Sequence, residues 1–112
     1  MFEIKYKFIE RKEYDILPEH CREGMILYIE YGVIPGSFLT AVIENDLVHS
    51  FAYADDINIK RLFDYAGFLY NECPSQAWGS KEKVAAWAKA RKAEYEESRK
   101  EEEKDGSSNG KD

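Results

Sequence analysis

Two cysteines, three prolines and two tryptophans are spread over 112 residues, and no long hydrophobic run occurs anywhere. Cys21 and Cys73 are too few for a disulfide framework and lack the CxxC spacing of a zinc or redox site, so both read as buried thiols. Apolar stretches such as Ala52-Tyr53-Ala54 and Gly67-Phe68-Leu69-Tyr70 fall far below the roughly 20 residues of a membrane span. The acidic start Met1-Phe2-Glu3 is unlike a signal peptide. A soluble, cytoplasmic protein with no membrane partner is expected. Basic charge is also short, with 16 Lys and Arg against 22 Asp and Glu and a net charge of -6. Residues 81–112 carry nine of each sign, so residues 1–80 hold the whole negative excess. No basic stripe precedes Lys81, and direct nucleic-acid binding is not expected. Such an acidic body stays soluble and can attract a basic protein surface.

Catalytic signatures are missing as well. The chain has no HExxH, P-loop or dinucleotide-binding glycine pattern. His20 and Cys21 are neighbours on a predicted helix, where their side chains diverge by about 100° and cannot form a dyad with each other. No spacing supports a dyad or zinc site built from these two with His49 or Cys73. Asp55-Asp56 and Asn45-Asp46 sit where helix capping explains them. A metal-dependent hydrolase would need carboxylates such as Asp46, Asp55 and Glu72 to converge. The expectation is a protein that is not an enzyme and uses no metal or cofactor.

What the sequence does contain is helical punctuation. Phe2, Ile4, Tyr6 and Phe8 alternate with polar residues and predict a strand over about 2–9. A lone strand must pair, either with a second short strand or with the same strand of another copy, which makes a homodimer a candidate. Pro18 opens and Gly32 closes a helix over about 18–31, with Cys21, Met25, Tyr28 and Ile29 on its apolar stripe and Gly24 and Glu30 off it. Gly24 suggests a close helix–helix approach. Ser37, read as an N-cap, opens a helical segment over about 37–54 that Asn45-Asp46 interrupts. Asp55 caps a helix over about 56–72 with Ile59, Leu62, Phe63, Ala66, Leu69 and Tyr70 as its stripe. Ser80 caps the last helix, apolar only at Val84, Trp87 and Ala88. The predicted fold is mainly α: a compact bundle of about four helices with a short N-terminal β-strand and an extended charged C-terminal helix. Residues 1–92 form the acidic globular domain, its last helix counted over 81–92, and residues 93–112 a solvated helical extension ending in a disordered tail.

Aromatic residues are the excess, 16 in all and eight of them Tyr. Tyr28, Tyr31, Tyr53, Tyr65, Tyr70 and Trp78 are amphipathic anchors of the kind enriched at interfaces, and each can equally bury its ring in a core. Trp78 is the leading interface candidate because it lies in a loop.

The segments from Leu17-Pro18-Glu19-His20-Cys21-Arg22-Glu23-Gly24 through Gly32-Val33-Ile34-Pro35-Gly36-Ser37-Phe38-Leu39 to Asn45-Asp46-Leu47, and Phe68-Leu69-Tyr70-Asn71-Glu72-Cys73-Pro74-Ser75-Gln76-Ala77-Trp78-Gly79-Ser80, resemble a family of small, largely uncharacterised proteins encoded by bacteriophages and prophages. The resemblance covers residues 17–90 and brings no established reaction. It implies an accessory protein acting in the host cytoplasm: a noncatalytic inhibitor that binds a host protein, for instance of a defence system, in the manner of anti-CRISPR proteins. An alternative is a sponge that sequesters a small nucleotide signal, and a further one is a small metal-dependent enzyme. The candidate binding residues are Tyr31, Asn45, Asp46, Asp55, Asn58, Asn71, Ser75 and Trp78. In a sponge they would line a pocket in which an aromatic ring stacks on a base and helix N-termini meet phosphate.

Overall fold

The computed structural model describes the backbone of residues 5–111 and the side chains of residues 5–99. The architecture is mainly helical. A 3-10 turn at Arg11–Ile16 leads into α1 (Glu19–Tyr31), followed by α2 (Ser37–Ile43), α3 (Leu47–Tyr53), α4 (Asp56–Ile59) and α5 (Leu62–Asn71). A second 3-10 turn, Ser75–Ala77, precedes α6 (Lys81–Lys111). Helical backbone thus runs through the Gly-Ser-rich stretch after Asp105, whose composition offers nothing to bury. No helix among the described residues is long and apolar enough to cross a membrane.

α1 is the central element. Gly32 ends it at φ 76°, a left-handed conformation that costs glycine little, and the Gly32 N–H bonds back to the Tyr28 carbonyl at 2.9 Å. The buried face of α1 is Met25, Ile26, Tyr28, Ile29 and Glu30. Around it pack Leu17, Phe38, Leu39, Val42 and Ile43, together with Tyr65, Phe68 and Leu69 of α5 and Val84, Trp87 and Ala88 of α6. Polar tips inside this core have partners: the Tyr28 hydroxyl donates to the Ala77 carbonyl at 2.7 Å, and Trp87 Nε1 donates to the Ile29 carbonyl at 3.1 Å. The close approach expected at Gly24 is made with Leu39 of α2, whose Cδ1 would lie 3.1 Å from an added Cβ.

The N-terminal strand is corrected. Residues 5–9 have no strand conformation, and residues 1–4 of the expected strand lie outside the described residues. The backbone donors of Lys5, Lys7, Phe8 and Ile9 bond to side chains at the end of α1 instead. Glu30 Oε1 accepts from Lys7 N at 2.7 Å, Glu30 Oε2 from Phe8 N at 3.1 Å and from Ile9 N at 3.3 Å, and the Tyr31 hydroxyl accepts from Lys5 N at 2.6 Å. One buried carboxylate thus takes three consecutive amides. Phe8 then lies edge-on to Trp87 with centroids 4.9 Å apart, and the Arg91 guanidinium lies over its ring at 4.7 Å.

The interruption expected at Asn45-Asp46 is present, and the helix expected over 56–72 is also divided. Asn45 at φ 63° ends α2 before Asp46 starts α3, and the chain turns between Ile59 and Leu62. The second break changes which face of α5 is buried: Tyr65, Phe68 and Leu69 point inward, while Phe63 and Tyr70 are 87% and 81% exposed. Tyr65 packs edge-on to Phe38, and Phe68 against Tyr14, at 5.1 and 5.4 Å between centroids. At the start of α2 the cap position belongs to Gly36, and Ser37 is the first helical residue.

Candidate functional site

α3 carries its polar and its apolar residues on opposite sides. Asp46 is its N-cap, its carboxylate accepting the His49 backbone N–H at 3.1 Å and lying 2.7 Å from His49 Nδ1. The Ser50 hydroxyl, on a residue only 5% exposed, donates to the Asp46 carbonyl at 2.7 Å. His49 and Tyr53 stack with ring planes 20° apart. At about 100° per residue, Asp46, His49, Ser50 and Tyr53 share one side of the helix. The opposite side carries Leu47, Val48, Phe51 and Ala52. Leu47 and Val48 are 75% and 74% exposed, and Phe51 is 60% exposed. A surface helix ordinarily places these two sets the other way round.

The polar side of α3 borders a groove of about 370 Å³ lined by Pro35, Ser37, Thr40, Ala41 and Glu44 from the α2 region, by Asp46, His49 and Tyr53, and by Lys81. The His49 backbone N–H, and after it the imidazole, hold the Asp46 carboxyl below its ordinary range.

A second polar network joins α1 to α4 and α5. His20 Nε2 lies 2.9 Å from Asp55 Oδ2, and Asp55 Oδ1 accepts the Asn58 backbone N–H at 2.7 Å as the cap of α4. That amide bond is the main reason the Asp55 carboxyl is held low, with His20 contributing. Asn58 is buried; its Oδ1 accepts the Tyr65 hydroxyl at 2.7 Å and its Nδ2 donates to Cys21 Sγ at 3.5 Å. Burial pushes the Tyr65 hydroxyl well above its ordinary pKa. Nothing in this network is arranged as a Cys-His pair: His20 turns to Asp55 while Cys21 faces Asn58.

The candidate residues from the sequence therefore separate. Asp46 lines the groove, and Asn45 makes the left-handed turn that ends α2. Asp55 and Asn58 belong to the α4 network. Tyr31 anchors residue 5 and lies edge-on to Tyr95 at 5.3 Å. Asn71 ends α5, exposed, and Ser75 opens the second 3-10 turn, its carbonyl accepting from Lys83 Nζ at 3.3 Å. Trp78 is partly buried against the core. Of the tyrosines weighed as anchors, Tyr28 and Tyr65 are core residues, whereas Tyr53 and Tyr70 are exposed. Sequence reasoning missed the outward face of α3. Its signal was Asp46, His49 and Ser50 at helical spacing opposite Leu47, Val48 and Phe51, which fixes the amphipathicity but not which side meets the core. Among the described residues no group of His, Cys, Asp or Glu could hold a metal ion. No family model, curated protein or solved structure matches the chain.

Proposed function

We propose that this chain is a noncatalytic binding protein of the accessory kind its sequence resembles, which docks on a host protein and inhibits it, as an anti-defence factor does. The observation that supports the reading is the outward apolar face of α3. Leu47, Val48 and Phe51 expose large side chains on one side of a capped helix, and exposed apolar clusters of this kind mark interaction surfaces. Helix faces presenting residues at i, i+1 and i+4 provide the anchors around which polar rims form. Ile57, on α4, is a further exposed large apolar residue.

The test is affinity capture from host lysate with the wild-type chain and with Val48→Asp and Phe51→Asp. A host protein retained by the wild type and lost by both variants, with unchanged circular dichroism, is the expected result. Equal retention by the variants overturns the reading. A large thermal stabilisation by a nucleotide, about 2.7 kcal/mol at 100 times its Kd, would favour the sponge instead.

A further inference from the structure

The groove on the polar side of α3 is walled by three separate stretches of chain. The Gly79 N–H donates to the Ile43 carbonyl at 2.8 Å and holds the approach to α6 beside the end of α2, while the Asp46 N–H donates to the Ala41 carbonyl at 2.9 Å and fixes the turn from α2 into α3. Glu44, Asp46, His49, Tyr53 and Lys81 line one space of about 370 Å³, within the size range of small-molecule sites. Some of these groups are already in use and some are not. The Asp46 carboxylate is committed to the His49 backbone N–H and to Nδ1. Held below the ordinary carboxyl range, it is ionised at neutral pH and can only accept, so in the neutral imidazole Nδ1 carries the proton and Nε2 keeps a lone pair. Tyr53, stacked on the ring, restrains it. Glu44 is half-buried and Lys81 exposed, and among the described residues neither forms an ion pair with the other or with any other group.

A carboxylate and an ammonium left unpaired in one groove, with an imidazole lone pair beside them, restrict the ligand. An anion such as phosphate meets Lys81 but also Glu44 and Asp46, and a simple amine meets the carboxylates but also Lys81. A molecule carrying both charges satisfies all of them. We propose that the groove binds a small zwitterion, an amino acid or a dipeptide, whose ammonium is held by Glu44 and His49 Nε2 and whose carboxylate is held by Lys81. Lys81 is the first residue of α6, the end of a helix that favours an anion. The site lies on the side of α3 away from Leu47, Val48 and Phe51 and is independent of the docking of a host protein there.

The probes are L-alanine, L-arginine, L-phenylalanine and the dipeptide Ala-Ala, each titrated into the full chain and followed by backbone amide chemical shifts. At least one is expected to give saturable shifts at residues 44–53 and 81–83, with a Kd of about 1 mM or below. For that probe, the N-acetyl form and the methyl ester should each bind at least about tenfold more weakly. Glu44→Gln should weaken the parent probe about tenfold and leave the N-acetyl form unchanged, whereas Lys81→Gln should weaken the parent about tenfold and leave the methyl ester unchanged, since each variant removes the partner of one ligand charge. Phe63→Ser on α5 should leave all affinities as they are. The relative affinity of the free amino acids and Ala-Ala tells which of the two sources of this chemistry the groove takes. No saturation by any of the four below about 10 mM overturns the proposal. So does equal binding of the blocked and parent forms, and so does inorganic phosphate binding more tightly than every probe, which assigns the groove to an anion.

Discussion

Glu30 and Phe8 are joined by a 3.1 Å hydrogen bond from the Phe8 backbone N–H to Oε2, and the same carboxylate holds the amides on either side. A charged acceptor for three successive donors does locally what a neighbouring strand would do, without a second copy of the chain. Glu30→Ala leaves those donors without a partner in a largely buried place and should cost about 2–3 kcal/mol. Glu30→Gln keeps one acceptor oxygen and should cost less. Urea unfolding gives the energies, and amide exchange at Lys7, Phe8 and Ile9 should accelerate in both variants.

Gly32 carries two requirements at once. Its φ of 76° disfavours any L side chain, and an added Cβ would lie 2.4 Å from the Ala88 carbonyl oxygen of α6. Gly32→Ala therefore strains the turn and pushes α6 off α1, and the expected loss of stability is about 2–4 kcal/mol, above the approximately 1 kcal/mol of left-handed strain alone. Gly36→Ala is the control, since nothing lies within 4 Å of its added Cβ.

The two thiols should behave differently. Cys73 is buried, and burial pushes its pKa up to about 12, so it holds almost no thiolate at neutral pH. Cys21 is only half-buried. An aromatic disulfide reagent should titrate one thiol per chain in the native protein and the second only on unfolding, at the unfolding rate. Mass mapping should place the early adduct on Cys21.

Acid should loosen α3 and α4 before the core. Asp46 and Asp55 are the N-caps of these helices, and each carboxyl is held below the ordinary value, first by the backbone N–H it accepts. A folded pKa below the unfolded one means that the stabilisation is present above the unfolded carboxylate range and is lost as pH falls through the depressed folded value. Amide protection of His49 and Asn58 should therefore be level at neutral pH and fall only at pH values below the usual range for Asp. Asp46→Asn should keep most of the protection of His49 at neutral pH, whereas Asp46→Ala should lose it.

Several features were legible because local chemistry decides them. Gly32 as a helix stop, Asp55 and Ser80 as caps, and Val84, Trp87 and Ala88 as the buried part of α6 follow from short-range geometry and a single clear stripe. The rest depended on what meets what. α5 carries apolar residues nearly all round, and periodicity cannot choose between the stripe containing Phe63 and Tyr70 and the one containing Tyr65 and Phe68. The Tyr65 hydroxyl on Asn58 and the break after Ile59 make that choice. Glu30 lay off the apolar stripe of α1 and read as a surface charge, because its partners are backbone amides more than twenty positions earlier in the chain. Alternation in residues 5–8 looked like a strand for the same reason: Tyr6 and Phe8 do pack inward, but the Phe8 backbone N–H bonds to a side chain.

In the proposed function α3 is the recognition face. Hydrogen exchange followed by mass spectrometry, on the full chain alone and bound to the captured host protein, tests it most directly. Slowed exchange is expected to concentrate in peptides covering residues 47–53, with peptides covering the Phe63 and Tyr70 face of α5 unchanged. Unchanged exchange at 47–53 with protection at α5 or along α6 would contradict it.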